Sequence, residues 1–161
     1  TWNAGRMRAA GLGIAFVQDN HSFSARAGTL RGLHYQRPPH AQDKLVRCTR
    51  GAILDVAVDA RRGAPTYGHW VAVELSAENF RQLLVPKGFL HGFVTLRDDT
   101  EVQYKCSDLY APDCDGAVRW DSAGIDWRAD LWGGTPILSA KDAAAVPFAE
   151  FDSPFVWEGA A

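Results

Sequence analysis

Three stretches of the 161-residue chain gather side chains able to move protons and hold anions. The first is Leu30-Arg31-Gly32-Leu33-His34-Tyr35-Gln36, with Lys44 ten residues after His34. The second is Pro86-Lys87-Gly88-Phe89-Leu90-His91-Gly92-Phe93, and the third is Tyr104-Lys105-Cys106 with Tyr110. A histidine titrates near neutral pH and is the commonest general base. A lone strand histidine is more often a hydrogen-bonded structural residue. His34, however, lies near Arg31 and Lys44, two cations suited to an anionic substrate or to an anion formed during reaction. Gly32 lets backbone approach closely.

The other candidates have blander readings from the residues alone. Tyr104 alternates with Val102 and Cys106, which marks a core tyrosine, or else an inward phenol able to donate a proton. Ser139-Ala140-Lys141-Asp142 is close to a capping box, so the pattern assigns Asp142 to helix capping and Lys141 to a solvated turn. Asp59 precedes Arg61 and Arg62 and reads as a local ion pair. Asp55 is mid-strand and, if buried, needs a cationic or hydrogen-bonding partner.

A metal centre is not expected. No His-x-His occurs, Gln36 stands two residues after His34, and Lys44 would repel a divalent ion. G-x-S-x-G, phosphate-loop and dinucleotide glycine patterns are absent, and Cys48, Cys106 and Cys114 sit in no nucleophile motif. Their odd number and irregular spacing fit neither a disulfide framework nor a zinc ribbon, so reduced thiols in a cytoplasmic protein are expected.

The elements that position these groups are mostly strands. With 47% hydrophobic residues the chain can fill a core, and six Trp, fifteen Gly and eight Pro favour short strands and tight turns. Strands are predicted over residues 45–50, 52–59, 70–75, 81–85, 91–96 and 101–106, with a short extended piece at 117–120. In residues 52–59, Leu54, Val56 and Val58 share one face, and Ile53, Asp55, Ala57 and Asp59 the other. Residues 91–96 and 101–106 read as a hairpin around Arg97-Asp98-Asp99. Short helices are predicted over 4–10 and 139–145. The result is an all-β antiparallel sandwich or barrel, one domain over residues 1–161. Seventeen basic residues balance nineteen acidic ones, which argues against nucleic acid as partner. The apolar run 51–60 is broken by Asp55 and Asp59, so no membrane span is expected.

Ordered motifs then carry a resemblance. They include Phe16-Val17-Gln18-Asp19-Asn20-His21-Ser22, the His34 segment, Gln42-Asp43-Lys44 and Gly51 with Asp55-Val56-Ala57-Val58-Asp59. Arg62-Gly63-Ala64-Pro65-Thr66-Tyr67-Gly68, the His91 segment, Tyr104-Lys105-Cys106 and Gly124-Ile125-Asp126-Trp127 follow. From about residue 1 to about residue 148 their order resembles the dTDP-4-dehydrorhamnose 3,5-epimerase family. The resemblance implies a cupin-type jelly-roll barrel with a few short helices, no metal or other cofactor, and a homodimer with swapped N-terminal strands. It implies a dTDP-4-keto-6-deoxy sugar as substrate, inverted at C3 and C5 on the way to dTDP-L-rhamnose. By motif, His34 resembles the general base, Asp142 its partner, Lys44 the enolate stabiliser and Tyr104 the proton donor. His91 and Asp55 resemble a buried polar pair near the sugar. Gln18, Asn20, Arg31, Tyr110 and Lys141 match positions that contact nucleotide or diphosphate.

The chain departs from the pattern in three places. A family strand with Asp-x-Arg-Gly is expected upstream of Thr1 and is missing, Asp115 stands where a nucleotide-contacting Glu is usual, and Lys87 replaces an often acidic residue. Alternatives within and beyond the family are a single-site epimerase acting at C3 or C5, a non-catalytic nucleotide-sugar-binding cupin, and, more remotely, a metal-dependent oxygenase. A His base with a Tyr acid predicts a bell-shaped rate profile, falling on the basic side with the tyrosine.

Overall fold

Residue alternation dictates a layered all-β fold, and a computed structural model describes residues 2–159 of it. The strands are β1 (Gln18–Ser24), β2 (Leu30–Gln36), β3 (Lys44–Arg50), β4 (Ala52–Asp59), β5 (Trp70–Ser76), β6 (Gln82–Val85), β7 (Phe89–Thr95), β8 (Thr100–Cys106) and β9 (Asp115–Ala117). They form two sheets, ordered β1-β8-β3-β6 and β5-β4-β7-β2-β9. Every pairing between these strands is antiparallel. Two short α-helices flank them, α1 (Ala4–Ala9), capped by Asn3, and α2 (Ala140–Ala143), capped by Ser139. No helix among the described residues is long and apolar enough to cross a membrane.

Strand β4 explains the layering. All eight of its residues are buried, so both of its faces must be covered. Ile53 and Ala57 pack with Val46, Cys48, Phe93 and Val102, which fill the space between the two sheets. Leu54, Val56 and Val58 pack with Leu30, Leu90, Val94, Trp127, Trp132, Phe151 and Phe155. The five-stranded sheet is therefore a middle layer, with the other sheet on one side and the C-terminal segment on the other. The face split matches the one read from alternation.

Two expectations need correction. The segments read as a hairpin, β7 and β8, lie in different sheets, and the connection between them crosses the sandwich. Phe93 and Val102 meet in the core between the sheets, so these strands face each other instead of sharing a ladder. The extended piece near 117–120 is β9, three residues long, followed by a parallel bridge from Val118 to Val146. Backbone pairing partners are long-range, and local alternation does not name them.

One irregularity aims the chemistry. Between Arg31 and His34 the β2–β7 register shifts, because Arg31 faces Phe93 and His34 faces His91. Three steps on β2 match two on β7, a bulge that inverts side-chain parity. Leu30 and Leu33 both enter the outer cluster, and His34 turns to the inner face. Close backbone approach makes this possible. A Cβ on Gly32, whose φ is +127°, would lie 2.6 Å from Gly92 Cα, and one on Gly92 would lie 2.9 Å from Arg31 O. Gly32→Ala and Gly92→Ala are each expected to lower stability by at least about 2 kcal/mol, read as a fall in the urea midpoint. Wild-type midpoints in both would show that the strands separate without cost.

Candidate active site

A cavity of about 410 Å3 opens between the two sheets. Gln18 and Asn20 of β1, Lys44 of β3 and Tyr104 of β8 line it from one sheet. His34 of β2 and Asp115 of β9 line it from the other, with Lys141 of α2 and Tyr110 at its margin. A second hollow, about 450 Å3, lies against Trp2, Asp19, His21, Leu45 and Arg47, and lacks both His34 and Lys44. Eight of the twelve predicted site residues thus line the first cavity, and Arg31, Asp55, His91 and Asp142 lie outside its lining.

His34 is held from behind. Its Nε2 donates to Asp142 Oδ1 at 2.5 Å, because an ionised carboxylate can only accept. That leaves Nδ1 as the proton-accepting nitrogen. Asp142 is 2% exposed. Burial alone would raise its carboxyl, but the His34 hydrogen bond and charge, with the Ser139 hydroxyl, hold it below the usual range. Asp142 also belongs to the helix start: its N–H donates to Ser139 Oγ at 3.1 Å, and Ser139 Oγ donates to its Oδ2 at 2.9 Å. The capping and pairing readings therefore coexist, one on each carboxylate oxygen.

The acid side is drier. Burial pushes the Tyr104 phenol up, the Arg31 charge opposing it. Burial pushes the Lys44 ammonium down, against the pull of Asp115 and Asp55. Lys44 Nζ lies 5.9 Å from the centre of the Tyr104 ring. Deeper in, His91 Nε2 donates to Asp55 Oδ1 at 2.7 Å, which supplies the partner that a buried Asp55 requires. Asp55 is wholly buried, and its Oδ2 has no hydrogen-bond partner among the described residues. Asp59 makes its expected local pair with Arg61, at 2.6 Å.

The mouth is polar. Gln18 Nε2 donates to Asn20 Oδ1 at 3.1 Å, and Gln18 Oε1 accepts from the Tyr110 N–H at 2.9 Å. Tyr110 donates its hydroxyl to Asp115 Oδ2 at 3.1 Å, and Lys141 bonds the same oxygen. The Asp115 charge pushes the Tyr110 phenol up. Lys141, read as a solvated turn residue by pattern, is thus an ion-paired wall of the cavity. Arg31 does not line the cavity; its guanidinium reaches Phe23 O and Ser24 Oγ on β1, both at 3.4 Å.

Residue patterns missed several contributors. Gln36 Nε2 donates to His40 O at 2.7 Å and its Oε1 accepts from the Ala111 N–H at 2.9 Å, which ties down the loop bearing Tyr110. Gln42 does the same through Asp108 O, at 2.8 Å. No local signal marks the bonds to Ala111 and Asp108, which span 75 and 66 residues. Cys106 also lines the cavity, receiving the Asn20 amide at 3.5 Å. Its alternation with Tyr104 was the available signal. Among the described residues, no three His, Cys, Asp or Glu side chains converge as a metal site would require. The arrangement presents a base on one wall and an acid with a cation beside it on the other, which suits proton removal beside a carbonyl.

Comparisons with known proteins agree. Residues 1–150 match the family model described as dTDP-4-dehydrorhamnose 3,5-epimerase. The chain is 53% identical over 137 residues to the dTDP-4-dehydrorhamnose 3,5-epimerase of Salmonella typhimurium, covering 84% of this chain and 73% of that protein. It resembles the crystal structure of the dTDP-6-deoxy-D-glucose-3,5-epimerase of Legionella pneumophila in complex with dTDP-4-keto-L-rhamnose. The TM-score is 0.90 and the identity 42%, over 100% of this chain and 85% of that one. It also resembles a 3'-monoepimerase from Streptomyces bikiniensis in complex with dTDP-quinovose, with TM-score 0.83 and 37% identity over 92% and 75%. The fold is that of these epimerases, a cupin-like pair of antiparallel sheets, and the chain belongs to the dTDP-4-dehydrorhamnose 3,5-epimerase family.

Proposed function

We propose that the protein is an isomerase that inverts C3 and C5 of dTDP-4-keto-6-deoxyglucose, in dTDP-L-rhamnose synthesis. The observation that carries this reading is the placement of His34 and Tyr104 on opposite walls of one cavity, with Lys44 beside Tyr104. His34 Nδ1 takes the proton from a carbon next to the C4 ketone. The bonding electrons move onto the C4 oxygen, where the Lys44 ammonium stabilises the enolate. Tyr104 then delivers its phenolic proton to the other face of that carbon. Solvent restores the tyrosine and removes the proton from the imidazolium, and the cycle repeats at the second carbon. Asp142 orients the His34 ring and stabilises its charged form. Gln18, Asn20, Tyr110 and Lys141, which line the cavity, hold the nucleotide diphosphate, while Arg31 lies outside the lining, and His91 with Asp55 shapes the sugar end. No metal or other cofactor takes part. The free thiols Cys48, Cys106 and Cys114 fit a cytoplasmic enzyme, and the edge position of β1 fits a homodimer.

The similarity to a 3'-monoepimerase favours a second reading, inversion at one carbon. Turnover in D2O followed by NMR decides between them. Label at both C3 and C5 is expected; label at one carbon selects the single-site reading, and binding without label selects a non-catalytic one. His34→Ala should slow exchange about 10²- to 10⁴-fold. Tyr104→Phe should exchange deuterium with little inversion, since the carbanion can then recover its hydron from the His34 side.

The shifts on Lys44 and Tyr104 revise the expected pH profile. Burial moves Tyr104 up and Lys44 down, so loss of the Lys44 proton competes with that of Tyr104 on the basic side. The basic limb should follow Lys44, and Lys44→Arg should move it to higher pH at reduced rate. A limb that stays in place in this variant would return it to Tyr104.

The double duty of Asp142 separates by substitution. Ser139→Ala should cost about 1 kcal/mol of stability with turnover largely kept. Asp142→Asn should lower turnover about 10²-fold or more, because His34 loses an acceptor-only partner. The Asp142 carboxyl is depressed by folding, so its stabilisation is present above the ordinary carboxylate range and fades as pH falls through its folded value. The stability gap between wild type and Asp142→Asn should therefore close in acid. Turnover unchanged in Asp142→Asn would leave capping as its whole role.

A further inference from the structure

The segment that carries Tyr110 runs between β8 and β9 with no ladder to hold it. Among the described residues, the backbone of residues 108–110 makes no hydrogen bond to other backbone. Side chains take the place of a ladder, group by group. Gln42 Nε2 donates to Asp108 O at 2.8 Å, and Gln36 Nε2 to Leu109 O at 3.2 Å. The Tyr110 N–H donates to Gln18 Oε1 and the Ala111 N–H to Gln36 Oε1, both at 2.9 Å. Three glutamines, on β1, on β2 and just before β3, thus close on four consecutive residues. Gln36 is the centre of this latch. It is 5% exposed, and a third bond, from Nε2 to His40 O at 2.7 Å, couples the Tyr110 segment to the one leading into Lys44. The Tyr110 side chain is 57% exposed, yet its far end is fixed too, by the hydroxyl bond to Asp115.

Ordering an exposed loop costs conformational entropy, and affinity falls when binding has to supply that order. We infer that Gln36 is a positioning residue for the nucleotide of the substrate: with Gln18 and Gln42 it holds residues 108–111 in one shape, so that Tyr110 meets the nucleotide without first being ordered. The role rests on the proposed function, in which Tyr110 contacts that nucleotide. Gln36 acts through Tyr110 and not on the reacting carbons. Its amide is uncharged, so the latch holds across the pH range of turnover.

Calorimetric titration with dTDP and steady-state turnover, both on the full chain, test this. Gln36→Met keeps the bulk and removes all three bonds. A loop in the competent shape a tenth of the time binds about ten-fold more weakly, so a loss of about five- to thirty-fold in dTDP affinity is expected. KM should rise by a similar factor with kcat held within about three-fold, because the groups that move the proton are untouched once the substrate is seated. In a Tyr110→Ala background the same substitution should cost less than about two-fold, since the latch acts through that ring. A merely structural glutamine would lower the melting temperature and leave the affinity of the folded protein alone. A glutamine that itself touches the nucleotide would cost as much in the Tyr110→Ala background as in the wild type. Gln42→Met removes the Asp108 bond alone; it should give a smaller loss of the same kind, and it carries the test if Gln36→Met melts early. Unchanged dTDP affinity, a loss undiminished in the Tyr110→Ala background, or a fall in kcat with KM unchanged overturns this inference alone. Wild-type protein that binds dTDP but incorporates no deuterium overturns the proposed function alone, and wild-type protein that binds no dTDP overturns both.

Discussion

A single hydrogen bond, from His34 Nε2 to Asp142 Oδ1, organises the molecule's chemistry. It joins residues 108 positions apart, so the whole sandwich must form before the base is set. The bulge in β2 turns His34 inward, the Gly32–Gly92 contact permits that bulge, and Ser139 starts the helix that delivers Asp142. Because the carboxylate only accepts, the bond also fixes which ring nitrogen is free. Ring orientation and the nitrogen turned to the cavity follow from one contact.

Around this bond the interior manages charge by pairing it. Asp55 meets His91, Asp59 meets Arg61, and Asp142 meets His34, each acid almost fully buried. A lone buried charge would cost several kcal/mol, whereas a hydrogen-bonded pair recovers much of that. Lys44 is the exception in the cavity: burial lowers its ammonium, and carboxylates at a distance only partly compensate. A cation that is poorly satisfied at rest gains most when an enolate oxygen forms beside it.

Much of this was legible in the residues. The face split of β4 followed from its alternation, though not the burial of both faces, and the capping motif located α2. His34 and Lys44 were found because their types suit proton transfer and anion binding in a segment dense in such groups, whereas Tyr104 read as a core tyrosine until the family resemblance gave it a role. Partner choice across the sandwich was not legible. Segments β7 and β8 read as a hairpin, because a short polar connection looks alike whether it returns within a sheet or crosses to another. The Asp115–Lys141 pair and the Gln36–Ala111 bond stayed hidden for the same reason, as their members are distant in sequence. Asp142 was half legible: its cap is local, its histidine is not.

His34 and Tyr104 belong to different sheets, held apart by core side chains such as Phe93 and Val102. Packed sheets sit roughly 10 Å apart, a gap set by the bulk of those side chains. The thickness of an apolar layer that never meets the sugar is thereby the calliper of the reaction. It measures the distance a carbon must keep from each wall, and with it whether a hydron leaves and returns on one side or crosses to the other.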